Sequence, residues 1–487
     1  MIATLWLLLL AGCGPVKVGV DDSASHETAH LDSEPAESGE SAGGDSRETQ
    51  EPVETAQPHV DEETVEDYPT TYAHLPVLLI TAYGSIGDGD KTAGWVELIT
   101  DHDGTLTDLD DAPRAYEGNI GIEIHGASSS GDPKHCYRME LRDDAGEDID
   151  YPLLGLGSDS DYVLHASYGD KTYLRNAFAY RIGNLLGEDT GEWQPGTAFT
   201  EVYLNDTYMG IYVLTERVKR DGDRIDLPDP APTADDGDIT GGYVFKIDYN
   251  RGDYMTTARG TLVEPIDPRT SELTTDQRTY IQTWLDSFET SLGGDSYDDP
   301  TTGYTSWIDV DSWVDFILIN ELAHNIDAYR LSTYHYKDPD ADGGLFHAGP
   351  IWDFDRAFGN VNYCSCWETD GWIIDDLAAC GAYYEFPFWW ERLLQNDEFR
   401  NKLRCRWEEL RADKLTDDNM RAMIEEMAAQ LAEAEPRDHG LWGTIGVNVG
   451  YNYYVGATWD DELTWFQDWV TERAAWMDDN VWGTCSE

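Results

Sequence analysis

The sequence predicts an α+β protein with two lobes, a strand-rich first half and a helix-rich second half, and a cleft between them. Three observations lead there. Short runs that alternate apolar and polar residues fill positions 75–248. From about residue 270 the apolar residues recur at helical spacing instead. Between these patterns and the end of the chain, two acidic loops flank one predicted hairpin: Asn325-Ile326-Asp327-Ala328-Tyr329-Arg330 before it, and Ile351-Trp352-Asp353-Phe354-Asp355 after it.

The N-terminus reads as an export signal. Residues 5–10 form an apolar run too short to cross a bilayer as a helix. It leads into Leu10-Ala11-Gly12-Cys13, which resembles the lipobox of bacterial lipoproteins. That resemblance implies cleavage before Cys13 and lipidation of its sulfur. Gly14 follows, a pattern that in Gram-negative sorting points to the outer membrane. The expected setting is therefore an exported protein that meets the membrane through a lipid anchor alone. Residues 14–70 are rich in Glu, Asp, Ser and Thr, with Lys17 and Arg47 the only basic residues. Such a segment cannot bury enough apolar surface to fold, and reads as a solvated tether.

Folded sequence begins near Leu75. Strands are predicted over 75–80, 121–126, 136–141 and 161–166, followed by a helix over 172–186 that Gly187 ends. Residues 200–204 and 210–214 flank Asn205-Asp206 as a hairpin, and 242–248 is a further strand. Helices are predicted over 277–292 and 310–324, a hairpin over 332–337 and 344–350, and mostly helical, Trp-rich segments over 386–435 and 460–479. The domain reading is a signal at 1–13, a tether at 14–70, a folded domain at 71–400 and a helical extension at 401–487 packed on the second lobe.

The chain carries 96 acidic against 32 basic residues, a net charge of −64. This excludes nucleic acid as a main partner, since few cations are present to displace counterions from a phosphate backbone. Seven cysteines are present. With Cys13 assigned to lipid, six remain, an even number that suits disulfides in an exported chain. Fifteen pairings are possible and the sequence does not choose among them; the expected pairs are Cys405 with Cys485, and Cys380 with Cys364 or Cys366.

A loop Asp, a hairpin and an Asp-Phe-Asp turn are how kinase-like folds set a substrate-facing carboxylate beside a metal-holding one. Several blocks extend this likeness. They include Gly121-Ile122-Glu123-Ile124-His125-Gly126 with Pro133-Lys134 and Tyr137-Arg138, and Lys171-Thr172-Tyr173-Leu174-Arg175-Asn176. Gly210-Ile211-Tyr212-Val213-Leu214-Thr215-Glu216-Arg217, Asn320-Glu321-Leu322 and Trp352-Asp353-Phe354-Asp355-Arg356 follow in order. Over residues 74–400 the chain resembles the CotH kinase family, named for spore coat protein H. The resemblance implies an atypical protein kinase-like fold that transfers phosphate from ATP, with Mg²⁺ or Mn²⁺, to Ser or Thr of a protein at the cell surface or in the periplasm.

The roles follow from what phosphoryl transfer requires. Asp327 would orient the hydroxyl nucleophile. Asp353, helped by Asp355, would hold the metal, because hard divalent ions take carboxylate oxygens. Typical kinases carry a metal-holding Asn five residues past the catalytic Asp. Ser332 stands there, so either a second metal is absent or Asn325 is its candidate ligand. Lys134, after a small-residue loop, is the expected phosphate-contacting lysine, with Arg138 as a second cation. Glu216 is expected at a hinge beneath the nucleotide base. Asp338, Asp340 and Asp342, followed by Gly343, have the alternating carboxylates of a calcium loop, without its closing Glu. The competing reading is a non-catalytic surface, adhesion or envelope-assembly module on the same fold, steadied by Ca²⁺. A glycosidase built on paired carboxylates is permitted by the aromatic content but has no motif behind it.

Overall fold

The structure, a computed structural model, describes residues 72–100, 107–109, 112–127, 129–249, 252–381 and 386–486. The lipobox at Cys13 and the tether at 14–70 lie outside the described residues.

The first half closes into a barrel. Its seven strands are β1 (Val77–Ala82), β2 (Thr92–Ile99), β3 (Arg114–His125), β4 (Cys136–Arg142), β5 (Asp161–His165), β6 (Thr197–Leu204) and β7 (Thr207–Glu216). The order around it is β1-β2-β3-β4-β5-β7-β6, and β6 returns to pair in parallel with β1. Closure leaves no unpaired edge. Alternate residues point inward, and Ile80, Val96, Leu98, Ile122, Met139, Leu164 and Leu214 fill the interior. Strand β2 does not stand out in the sequence because Gly94 interrupts its apolar series. A side chain there would come within 2.6 Å of the Thr81 carbonyl oxygen, so only glycine lets β1 and β2 approach.

A second sheet of five strands joins the two halves of the chain. Strand β8 (Tyr243–Ile247) pairs with β10 (Leu262–Asp267) on one side and with β11 (Thr333–Lys337) on the other. The short strands β9 (Met255–Thr256) and β12 (Phe346–Ala348) complete it. The predicted hairpin is thus β11–β12, and its partner strand comes from the strand-rich half. On β12, the His347 ring sits between Glu192 Oε1 and Asp338 Oδ2, each 2.8 Å from a ring nitrogen. Tyr336 stacks on the ring, its hydroxyl donates to Glu192, and Asp309 lies nearby. Hydrogen bonds to the two carboxylates outweigh burial and raise the His347 pKa to about 10. The folded value exceeds the unfolded value of about 6.5, so this contribution is complete below pH ~6.5 and is lost as pH rises through about 10. Denaturant unfolding from pH 6.5 to 10 should show stability falling by at most about 1.4 kcal/mol per pH unit from this group. His347→Gln should flatten that part of the profile.

The helices pack on both sheets, α3 (Val310–Ala323) against the second sheet and α8 (Glu435–Trp442) against the barrel. They are α1 (Arg175–Thr190), α2 (Thr275–Leu292), α3 (Val310–Ala323), α4 (Ile373–Cys380), α5 (Trp389–Leu393), α6 (Asp397–Ala412), α7 (Asp417–Leu431), α8 (Glu435–Trp442) and α9 (Trp459–Asn480). The central helix α3 is apolar on nearly every face and lies buried among the others. Asp309 caps its first turn by accepting from the Ser312 N–H at 2.8 Å. Helices α6, α7 and α9 share one core with α1 and α3 through Leu403 and Trp407, Met420 and Ile424, and Phe466 and Trp469. Arg473 of α9 donates to the Glu321 carbonyl oxygen of α3 at 2.9 and 2.8 Å.

Two disulfides form, Cys364–Cys380 and Cys405–Cys485. Cys136 and Cys366 stay reduced and buried. The second bridge spans 80 residues and ties α6 to the segment after α9. The Cys405→Ser/Cys485→Ser double variant should lose about 4 kcal/mol in denaturant unfolding, the loop-closure cost returned to the unfolded chain.

Candidate functional site

A cavity of about 120 Å³ lies between the barrel and the second sheet. The barrel contributes His125, Arg138 and His165, the sheet contributes Lys246 and Tyr334, and the flanking loops contribute Asp248, Asp327, Asp353, Asp355 and Arg356.

The Asp327 loop is built where α3 ends. His324 takes a left-handed conformation at the C-cap, with φ 47° and ψ 48°, and turns the chain out of the helix. Its ring nitrogens lie 3.0 Å from Asp376 Oδ2 and 3.0 Å from the Glu368 carbonyl oxygen, which anchor the turn. Asn325 then accepts from the Asp327 N–H at 3.1 Å and donates to Asn320 Oδ1 at 3.3 Å. Asn325 therefore shapes the loop from behind and does not line the cavity. Arg330 folds back to donate to the Ile326 carbonyl oxygen at 3.2 and 2.7 Å.

The Asp353-Phe354-Asp355 turn is held by one face of α1. Asn176 and Tyr180, four residues apart, point the same way. Asn176 Oδ1 accepts from the Phe354 N–H at 2.5 Å, and Tyr180 Oη accepts from the Asp353 N–H at 3.1 Å. Phe354 is buried in the core and fixes the turn. Asp353 has φ 68°, a left-handed conformation that costs a non-glycine residue about 1–3 kcal/mol. Ser332 Oγ lies 3.3 Å from Asp353 Oδ2, so the position five residues past Asp327 contacts a cavity carboxylate.

Asp353, Asp355 and His165 offer ligand atoms that all lie within 4.8 Å of one another. Asn176 Nδ2 donates to His165 Nε2 at 3.1 Å, so the Asn that positions the turn also orients this ring. Withdrawal from solvent raises the Asp353 pKa well above the carboxylate range, and the neighbouring charges of Asp355 and Asp327 add to the rise. Burial also pushes Asp327 up to about 6, against the pull of Arg330 and Arg356. Like charges this close favour a bound cation, and two carboxylates suit a hard divalent ion such as Mg²⁺ or Mn²⁺, with the His165 ring beside them.

The structure thus brings together Asp327, Asp353, Asp355 and Arg138. It places three other expected residues elsewhere. Lys134 is 1% exposed; its Nζ donates to Asp438 Oδ2 of α8 at 2.6 Å and to the Ile211 carbonyl oxygen at 2.6 Å. Asp438 also accepts from the Ile211 N–H at 2.6 Å and from Tyr173 Oη at 2.9 Å. Gly210 makes room for it with φ 91°, since a side chain there would overlap the Asp438 carboxylate. Lys134 is therefore committed to docking α8 on the barrel. Lys134→Met should cost about 3–5 kcal/mol in denaturant unfolding, because it leaves Asp438 buried and unpaired. Glu216 accepts from Arg224 at 2.5 Å and from the backbone N–H groups of Gly157 at 2.7 Å and Gly196 at 2.6 Å. It ties loops to the end of β7 and does not line the cavity. Asn325 is the third, for the reason given above.

The calcium-like loop does not gather its carboxylates. Asp338 is taken by His347, Asp340 pairs with Lys337 Nζ at 3.2 Å, and Asp342 points outward on a single helical turn. Among the described residues these three form no metal-binding group.

His165, Lys246 and Asp248 were not singled out in the sequence. Their strands were recognised, but facing one cavity depends on how two sheets pack, which no local pattern encodes.

The family model described as CotH kinase protein matches residues 122–477, most of the chain, and it runs through α6, α7, α8 and nearly all of α9. A search of curated proteins gives no match.

Proposed function

We propose that this chain, which belongs to the CotH kinase family, is a metal-dependent protein kinase acting outside the cytoplasm. The observation that carries the reading is the convergence of Asp327, Asp353 and Asp355, from two separate loops, on one cavity between two sheets. The fold it implies is a bilobal kinase-like one, with the barrel as the first lobe and the helices as the second. Asp353 and Asp355, with His165 beside them, would hold the Mg²⁺ or Mn²⁺, which when bound neutralises charge on the donor's phosphates. Asp327 would accept the proton of a Ser or Thr hydroxyl. The hydroxyl oxygen bonds to the γ-phosphorus of ATP as the bond from that phosphorus to the bridging oxygen breaks, and ADP leaves. The buried Asn176 and Tyr180 keep the Asp353 turn in place.

Export, a lipid anchor at Cys13 and an outer-membrane location belong to the same proposal, with a surface or periplasmic protein as acceptor. The test is label transfer from γ-labelled ATP into protein with Mg²⁺ or Mn²⁺. Incorporation that depends on metal supports the reading, and a folded, oxidised chain that neither binds nor turns over ATP overturns it.

One observation favours a second reading. Lys134 is occupied in a structural ion pair, which suits a non-catalytic envelope module that has kept the fold but lost the expected nucleotide contact.

A further inference from the structure

We infer that the phosphates of the nucleotide are held by Arg138 and Lys246, one cation from each sheet, and not by Lys134. This rests on the phosphotransferase reading and names the residues that bind its donor.

Both side chains line the same cavity as Asp327, Asp353 and Asp355. They come from different sheets, Arg138 from β4 of the barrel and Lys246 from β8 of the second sheet. The cavity therefore sets carboxylates and cations side by side. A polyphosphate bound through a divalent ion needs both, the carboxylates for the ion and fixed cations for the oxygens it leaves uncovered.

Arg138 carries the mark of a site awaiting an acceptor. Among the described residues its Nε is buried without a hydrogen-bond partner, and the Glu123 carboxylate lies only loosely against it, Oε1 3.6 Å from Nη1. The side chain as a whole is 37% exposed, so its terminal nitrogens are free to donate charge-assisted bonds to a phosphate oxygen. Lys246 Nζ is held 2.9 Å from Asp248 Oδ2 and 3.5 Å from Glu264 Oε2, and its side chain is 21% exposed. Asp248 itself lines the cavity, so the ammonium is fixed at the wall. Lys134 offers neither feature. It is enclosed, and its ammonium is bonded to Asp438 and Ile211.

The arrangement also explains how the chain does without the lysine expected after the small-residue loop. A guanidinium supplies a planar fork for phosphate oxygens, and a lysine from the opposite sheet supplies a point charge. Phosphates contacting both would link the barrel to the second sheet.

The experiment is calorimetric titration of ADP with Mn²⁺ into the full chain and three variants. Arg138→Gln and Lys246→Met should each weaken binding by about 10- to 100-fold. The double variant Lys134→Met/Asp438→Asn removes the buried pair as a unit and should bind like the parent. If Arg138→Gln does not fold, Arg138→Lys keeps the charge without the fork and should lose about tenfold. Parent-like binding in the folded Arg138 and Lys246 variants, or loss confined to the Lys134 double variant, overturns the inference while leaving the kinase reading standing. No metal-dependent ADP binding by the parent overturns both.

Discussion

Asp327→Asn should reduce phosphoryl transfer by about 10²- to 10⁴-fold, the usual span for removing a positioned acid–base group, and leave metal and nucleotide binding close to the parent. The substitution keeps the side chain's shape. The loop survives it, because Asn325 and Arg330 hold that loop through backbone groups and not through the Asp327 carboxylate. Burial disfavours the Asp327 carboxylate more than Arg330 and Arg356 favour it, so removing its charge costs the metal-free protein little. A loss of label transfer with unchanged unfolding stability is the expected pair of results. Loss of both together would assign Asp327 a structural role.

Asp353→Asn should abolish the metal response. In the parent, Mn²⁺ at about one hundred times its dissociation constant should add about 2.7 kcal/mol to unfolding stability, and EDTA should remove it. The variant should show no such gain and should lose transfer activity. Its metal-free form should be at least as stable as the parent, since Asn adopts the left-handed backbone readily and carries no charge among Asp327 and Asp355. Ser332 Oγ, 3.3 Å from Asp353 Oδ2, keeps a partner in either case. A parent-like Mn²⁺ response in Asp353→Asn would place the metal elsewhere.

Much of the frame is legible in the chain. The hairpin after Asp327 and the turn that follows it are local events, set by alternation in 332–337 and by the apolar Phe354 between two acids. That is why the three carboxylates could be named before any fold was known. The bond between Cys405 and Cys485 matches the expected pair, although six cysteines allow fifteen pairings and no local pattern selects among them. Lys134 was not legible either. Its fate depends on Asp438, 304 residues away, on a helix whose docking nothing near Lys134 foretells. The same holds for Glu216, whose partners Gly157 and Gly196 come from loops that meet only when the barrel closes. Closure itself rests on the parallel pairing of β1 with β6, a contact across more than one hundred residues. Lys246 escapes a linear reading for that reason: it lines one cavity with Arg138 from a different sheet.

The most direct test of the central claim is titration of ATP into the full, oxidised chain with Mn²⁺, run beside γ-phosphate label transfer, for the parent, Asp327→Asn and Asp353→Asn. The account predicts that the parent binds and transfers, that Asp327→Asn binds without transferring, and that Asp353→Asn does neither. Folded protein that binds no nucleotide with Mg²⁺ or Mn²⁺, or transfer that survives both substitutions, would contradict it.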